Sequence, residues 1–401
     1  MKNQQRFWNS LLAFSSLMIL LFAVFLNFSE VGAQQFSYLA SSFLQGKTYF
    51  LQNPGSWEDA VFFNSRNYWP LGPFPAVLLM PFVYVFSLLN KFFHQGYLHF
   101  FIVLGVFYLV YKIARKVKYA ISDSLYLAFA FCFASVFLGV AIWAWSWHFS
   151  HVITVFLLFL AIYEYLGKRR YWLIGLILGL IMTTRVTASL FFVFFVLEII
   201  LISKARFFNK ANNLFKLLIP YLVSFLLLTN YNFIRFGNFV EQGYGLANLL
   251  PPLAKARDYG LFSLIHLPGN LYYFLLSFPL PVFRDNLSHV LKFPYFKANS
   301  WGMSIFITSP YYIYLLFLRH KDVLSKTLLL TVFLISLPIF LYFSIGARQF
   351  GYRYSLDFLP LLFFLFIRSY RKQYKVLTYR FKILVLITAF TNLYLFLADF
   401  I

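Results

Sequence analysis

The sequence predicts an all-α polytopic membrane protein, and three observations carry that expectation. Apolar runs long enough to span a bilayer recur from Leu11 to the C-terminus. These runs are continuous rather than alternating, so helices and not barrel strands must satisfy the backbone in lipid. Acids are scarce: 12 Asp and Glu stand against 34 Lys and Arg in 401 residues that are 61% hydrophobic.

A soluble protein is excluded by this composition. The net charge of +22 raises nucleic acid as a partner, but its placement argues against it. More than half of the basic residues fall in five short gaps between apolar runs: Lys112–Lys118, Lys168–Arg170, Lys204–Lys216, Arg319–Lys326 and Arg368–Lys382. That is the positive-inside pattern, and anionic lipid headgroups are its natural partner. Cys132 is the only cysteine, which excludes intrachain disulfides, Cys-based zinc sites and Fe–S clusters. It lies in the run Phe129–Phe137 and reads as core packing.

The first element is an apolar run, Leu11–Leu26, behind Lys2 and Arg6. With Val31-Gly32-Ala33 after it, the run resembles a cleavable signal peptide; the reading adopted is a retained first helix. Spans are then expected near 10–28, 72–90, 97–114, 124–145, 149–166, 171–185, 187–203, 214–233, 303–318, 323–345, 354–368 and 382–399. This is a bundle of about 11–12 transmembrane or re-entrant helices in one integral membrane domain over 1–401. Two long extracytoplasmic stretches interrupt it, 28–71 and 232–303. Within the second, Leu261–Leu280 holds Pro268, Gly269 and Pro279 and is expected to lie along the surface or re-enter rather than span. No soluble-domain-length segment, low-complexity tract or clear repeat occurs.

One topological conflict follows. If 72–90 and 97–114 both cross, Lys112–Lys118 falls on the wrong side. Pro73, Pro75 and Pro81 make 72–90 the suspect, as a broken or re-entrant element.

Because a carboxylate in a membrane is costly and usually functional, each acid is informative. Glu164 and Glu198 sit near cytoplasmic ends with Lys168 and Lys204 at pairing distance in sequence. Asp123 and Asp322 also lie by basic gaps, and all four read as structural. Asp258, Asp285 and Asp399 have no persuasive sequence partner. Glu30, Glu58, Asp59, Glu241 and Asp357 remain.

Five clusters carry possible chemistry. Glu58-Asp59 precedes Arg66, Tyr68 and Trp69 in an outer loop, just before the proline-rich entry Pro70–Pro75; the alternative is a solvated acid pair with interface aromatics. Arg348-Gln349-Phe350-Gly351-Tyr352-Arg353-Tyr354-Ser355-Leu356-Asp357 opens a helix on the side where arginine is disfavoured. Its guanidinium groups suit phosphate, and Asp357 suits holding one of them. Trp143–His151 places His148 and His151 at i, i+3, fit for a ligand or for an aromatic-anchored hairpin. Thr183-Thr184-Arg185-Val186-Thr187 puts an arginine at the outer end of a short helix, after the close-packing signal Gly175-x-x-x-Gly179. Asn230–Asn238, with Arg235, precedes Glu241, Gln242 and Tyr244, a polar-aromatic set able to stack on sugars or to form an interface turn. No phosphate-binding glycine loop, zinc-hydrolase motif or nucleophile elbow is present. No cofactor is expected, and nothing in the sequence supports a divalent metal.

The order of these clusters resembles bacterial polytopic glycosyltransferases of the GT-C class, the protein mannosyltransferase and aminoarabinose transferase group. The likeness rests on the Tyr68–Pro75 entry, Gly179–Arg185, Tyr231-Asn232-Phe-Ile-Arg235-Phe-Gly237 and Gln349–Asp357. It implies a GT-C-like bundle in the bacterial cytoplasmic (inner) membrane. It implies transfer of a hexosyl or pentosyl group from a polyprenyl-phosphate carrier to a glycan, lipid or protein acceptor at the extracytoplasmic face. The presumed base is an acid in the first outer loop. Asp59 matches best by position, with Glu58 beside it. Glu30 alone follows the first span, without the usual Asp-Glu pair. The implied substrate contacts are Arg66, Tyr68, His148, His151, Arg185, Arg235, Glu241, Arg348, Gln349, Tyr352, Arg353 and Asp357. Competing readings are an O-antigen polymerase or ligase and a transporter or flippase of lipid-linked sugars. The transporter reading calls for mid-helix charges and paired halves, which this chain lacks.

Overall fold

A computed structural model of the chain describes residues 2–29, 33–285 and 287–398. Glu30, Asp399 and the Val31-Gly32 step lie outside the described residues. Helices dominate, and among the described residues six are long and apolar enough to cross a membrane. In chain order these are α1 (Lys2–Phe28), α4 (Gln95–Lys116), α7 (Ser146–Tyr165), α10 (Phe207–Phe236), α14 (Val323–Leu341) and α16 (Tyr379–Leu397). Between them stand α2 (Gln35–Leu44), α3 (Phe74–Leu88), α5 (Ile121–Phe133), α6 (Phe137–Ile142), α8 (Tyr171–Met182), α9 (Phe192–Leu197), α11 (Pro251–Arg257), α12 (Leu267–Leu275), α13 (Ile305–Thr308) and α15 (Leu359–Tyr374). One connected apolar core runs from Leu12 to Phe396. The outward faces stay apolar as well: on α10, Phe207, Phe208, Phe215, Leu226 and Leu227 are exposed. A helix greasy on both faces belongs in lipid rather than water.

Side-chain bonds sort the helix ends into two faces. The basic gaps meet at one face, where the scarce acids are spent on arginine and lysine. Arg170 clasps Glu164 at 2.9 Å, Arg169 approaches Glu198 at 3.6 Å, and Tyr171 donates to Glu198 at 2.9 Å. Arg368 and Lys372 share Asp322 at 2.6 and 3.1 Å, and Lys382 holds Asp123 at 2.7 Å. The partners of Glu164 and Glu198 are thus Arg170, Arg169 and Tyr171 rather than Lys168 and Lys204; the turn 166–170 folds back over the helix end and brings its arginines within reach. Lys116 Nζ reaches the Leu166 carbonyl at 3.5 Å, which puts Lys112–Lys118 on this same face.

That contact removes the topological conflict, because α3 does not cross. Its first residue donates from Phe74 N to Thr183 O, at the far end of α8. The chain leaving α3 starts α4 beside the far end of α1: Gln95 N donates to Gln34 Oε1 at 2.9 Å, and Asn27 Nδ2 donates to the carbonyls of Ala141 and Ile142. Both ends of α3 therefore lie on the face opposite the basic gaps. Gly72 makes the approach possible, since a Cβ there would stand 2.1 Å from Thr183 O.

Two expected spans are broken. The run 124–145 divides into α5 and α6 at Ser135, whose hydroxyl accepts from Phe137 N while donating to Phe131 O. The run 303–318 divides at Ser309, before Pro310 opens a 3-10 helix, Pro310–Leu316. The breaks face each other: Val136 N donates to Ser309 Oγ at 3.3 Å, so the second break satisfies an N–H freed at the first. The run 187–203 is a 3-10 turn, then α9, then a π-helical turn Glu198–Ile202.

The stretch 28–71 is not a bare loop. It holds α2 and a hairpin, β1 (Val61–Phe63) with β2 (Arg66–Tyr68). Asn64 and Ser65, both at positive φ, form its two-residue turn. Leu261–Leu280 is likewise not one helix: a 3-10 turn and α12 lead into the hairpin β3 (Leu280–Phe283) and β4 (Leu291–Lys297). The two outer stretches interlock through a bridge between Val61 and Ala247.

Candidate functional site

Asp59 is placed by this interlock. Its N–H donates to Asn248 O at 2.7 Å, while Asn248 N donates to Ala60 O at 2.9 Å. The backbone turns there at φ 62°, a left-handed conformation that aspartate tolerates better than most residues. The side chain is half-buried, and the Trp147 side chain favours its charged form. Burial, aided by the charge of Glu58, pushes the Asp59 carboxyl up to about 6, against the pull of Arg353 and Arg348. Glu58 itself accepts from Arg348 Nη1 at 3.0 Å.

The arginines come from the loop Gly346–Tyr352 and the 3-10 turn Arg353–Asp357. Gln349 organises that loop. Its Nε2 donates to the carbonyls of Trp301 and Ile345 at 2.8 and 2.7 Å, and its Oε1 accepts from Arg353 N. Tyr352 donates to Asn270 Oδ1 at 2.6 Å, and Asn270 is clamped on Phe340 O and Tyr342 O. Gln349 and Tyr352 are thus occupied in holding the loop. Arg348 sits at φ 48° as a result, an arrangement only a well-braced loop sustains. Arg353 is 6% exposed, donates to Ala347 O at 3.0 Å, and has no hydrogen-bond partner at Nε.

Arg185 approaches from the end of α8. Its Nε and Nη2 grip Asp357 at 2.6 and 3.1 Å, and the Thr187 hydroxyl donates to the same carboxylate. His151, one turn along α7 from His148, is fully buried with Nδ1 3.8 Å from Asp357, and neither ring nitrogen has a hydrogen-bond partner. The Tyr354 ring lies beneath both guanidinium groups, 5.6 Å from Arg185 Cζ and 5.1 Å from Arg353 Cζ. Asp357→Ala leaves Arg185 buried without its counter-charge; the expected loss is about 3–5 kcal/mol of stability, read as a lowered midpoint in thermal unfolding. A midpoint equal to the wild type contradicts the pairing.

The structure therefore brings Glu58, Asp59, Arg185, His148, His151, Arg348, Arg353 and Asp357 to one region of the outer face. Of four other expected contacts, three lie apart and Arg235 only borders the cluster. Arg66 stacks over Tyr49 at 4.4 Å on the hairpin, and Tyr68 packs against Phe236. Glu241 accepts from Gly243 N within its own turn. Arg235 donates to Trp69 O and Asn232 Oδ1 and stacks on Tyr231 and Phe236. Arg235 lines a small cavity of about 10 Å³ with Thr184, Gln242 and Tyr244, room for roughly one water. Glu30, a candidate base, is outside the described residues.

Trp147, Thr187, Tyr244, Tyr342 and Tyr354 join the cluster without having been singled out as contacts. The Tyr342 ring lies 6.3 Å from that of Tyr354 and 6.2 Å from that of Tyr244. Tyr342 belongs to no motif, so only folding reveals it. Among the described residues, no group of three or more His, Cys, Asp or Glu is arranged to hold a metal ion.

The chain is similar to two solved structures from Archaeoglobus fulgidus. One is the oligosaccharyltransferase in the apo form, with TM-score 0.48 and 14% identity over 97% of this chain and 55% of that one. The other is the archaeal oligosaccharyltransferase AglB in complex with an inhibitory peptide and a dolichol-phosphate, with TM-score 0.46 and 13% identity over 98% of this chain and 56% of that one. The chain spans about half the length of these proteins. No family model matches it, and no curated protein matches it.

Proposed function

We propose that this protein is a membrane glycosyltransferase that moves a sugar from a polyprenyl-phosphate carrier to an acceptor at the extracytoplasmic face of the bacterial cytoplasmic membrane. The observation that carries the reading is the Asp59 carboxyl, half-buried and raised to about 6, held beside Arg348 and Arg353 on the face opposite the basic gaps. By the positive-inside rule that face is extracytoplasmic.

The chemistry divides among these residues. The acceptor hydroxyl oxygen attacks the anomeric carbon, and its proton passes to the Asp59 carboxylate. The bond from that carbon to the phosphate oxygen breaks, and the carrier phosphate leaves with the electron pair. Arg353, with Nε uncommitted, and Arg185, fixed by Asp357, stabilise the charge that gathers on the leaving phosphate. Burial strengthens both effects, because water screens neither. A flippase reading leaves a raised acid beside arginines without a task, since moving an intact lipid needs no base.

The test is direct. The purified full chain in nanodiscs is incubated with a panel of polyprenyl-phosphate sugars, and released polyprenyl phosphate is measured. Release dependent on Asp59 supports the reading; no release from any donor in the panel, with or without added glycan, lipid or peptide acceptors, overturns it.

A further inference from the structure

A second cavity, a cleft of about 190 Å³, opens beside the charged cluster. Its base is apolar, formed by Gly139, Phe350 and Phe396, and the two rings are 6% and 5% exposed. Phe350 and Phe396 lie 6.0 Å apart, and Phe396 meets Trp143 edge-on at 6.2 Å. Trp143 is backed in turn by Trp145 at 4.2 Å. The opposite character appears at the mouth, where Ser300 and Arg348 are exposed. His148 lines the wall between, with Nδ1 held on Trp143 O at 2.9 Å.

These aromatic residues do not serve as an anchoring belt. Belt residues present their rings to the lipid interface, whereas Phe350 and Phe396 are turned inward and covered. Nor does the cleft suit a long acyl chain: it is smaller than the roughly 300–1,000 Å³ usual for drug-sized ligands, and its mouth is polar. A short aromatic-walled slot with a rim of hydroxyl, guanidinium and imidazole fits an object with apolar C–H faces and hydroxyls around its edge. The mouth carries little net charge, because Arg348 is already paired with Glu58 at 3.0 Å.

We propose that this cleft seats a neutral pyranose ring of the acceptor, so that the acceptor is a glycan rather than a peptide. The assignment rests on the transfer reading above for its role but not for its binding. Position supports it: Arg348 joins the cleft to Glu58, the neighbour of Asp59, and His148 feels the charge of Arg353. The Arg348–Glu58 pair joins a ring held here to the loop that carries Asp59, while the Arg185–Asp357 pair lies deeper along α7 at His151. The ring face stacks on the half-buried Trp143, above the covered Phe350 and Phe396, and the edge hydroxyls meet Ser300, Arg348 and His148.

Saturation-transfer NMR on the full chain in nanodiscs, with methyl pyranosides of glucose, galactose and mannose and with a Ser/Thr/Asn-containing peptide, tests the assignment. At least one pyranoside should receive saturation from the wild type. Trp143→Ala should bind it about fivefold more weakly or worse, while Trp143→Phe keeps most of the binding. Trp172→Ala, exposed on the basic face, should leave it unchanged. The assignment is overturned if no pyranoside binds, if binding is indifferent to Trp143→Ala in a chain whose thermal midpoint is unchanged, or if the peptide alone binds in a Trp143-dependent manner. Pyranoside binding at Trp143 in a chain that transfers nothing from any donor removes the transferase reading and leaves the cleft assigned.

Discussion

Asp59→Asn abolishes sugar transfer while the chain still folds: a fall of at least about a hundredfold in kcat/KM, the usual scale for losing a positioned base. The substitution is nearly isosteric. It also installs a neutral group where burial already disfavours the charged form, so the thermal midpoint should hold. The pH dependence has a defined sign. A base must be unprotonated to accept the hydroxyl proton. With the Asp59 carboxyl raised to about 6, most of it is protonated at about pH 5 and little at about pH 7. Wild-type kcat/KM therefore rises roughly tenfold per unit below the midpoint and flattens above it. A release assay from about pH 5 to about pH 8 shows this limb in the wild type. Full activity in Asp59→Asn, or a wild-type profile flat below about pH 6, removes Asp59 from the role. Activity would then fall to Glu58 or Glu30.

Arg353→Ala raises KM for the lipid-linked donor by about ten- to a hundredfold, the scale of a charge-assisted hydrogen bond left unmade. Lys375→Ala, exposed after α15 on the basic face, leaves KM unchanged. Arg353→Lys recovers only part of the loss, because an ammonium keeps the charge but not the planar fork that pairs with phosphate. Equal effects of Arg353→Ala and Lys375→Ala would mean that the arginine acts only through net charge and has no phosphate to hold.

The helical class and the basic gaps were legible because they depend on composition and periodicity alone. The breaks in the spans were not. Ser135 and Ser309 are unremarkable in sequence, and the N–H freed at the first interruption is satisfied by a hydroxyl 173 positions away. The crossing status of α3 was legible only as a conflict; its resolution needed the contact of Phe74 with Thr183 and of Lys116 with Leu166. Of the proposed contacts, those on the outer ends of α7, α8 and α15 converge. Arg66, Tyr68 and Glu241 do not, because pairing and stacking near their own hairpin or turn satisfy them first; Arg235 borders the cluster at Tyr244 but is held on Trp69 and Asn232. Gln349 and Tyr352 reach the right loop but spend their polar atoms on building it.

Scarcity of acid narrows the chemistry to a few named carboxylates, and a sequence suffices for that because a charge in lipid must have a reason wherever it stands. Which of those carboxylates is desolvated, strained and raised is a property of neighbours. Asp59 gains its raised carboxyl from desolvation where the loop meets Asn248 and from the charge of its neighbour Glu58, against the pull of Arg353, Arg348 and Trp147, which are distant in the chain. Desolvation and through-space charge are set by distance in three dimensions, and only the folded bundle fixes those distances.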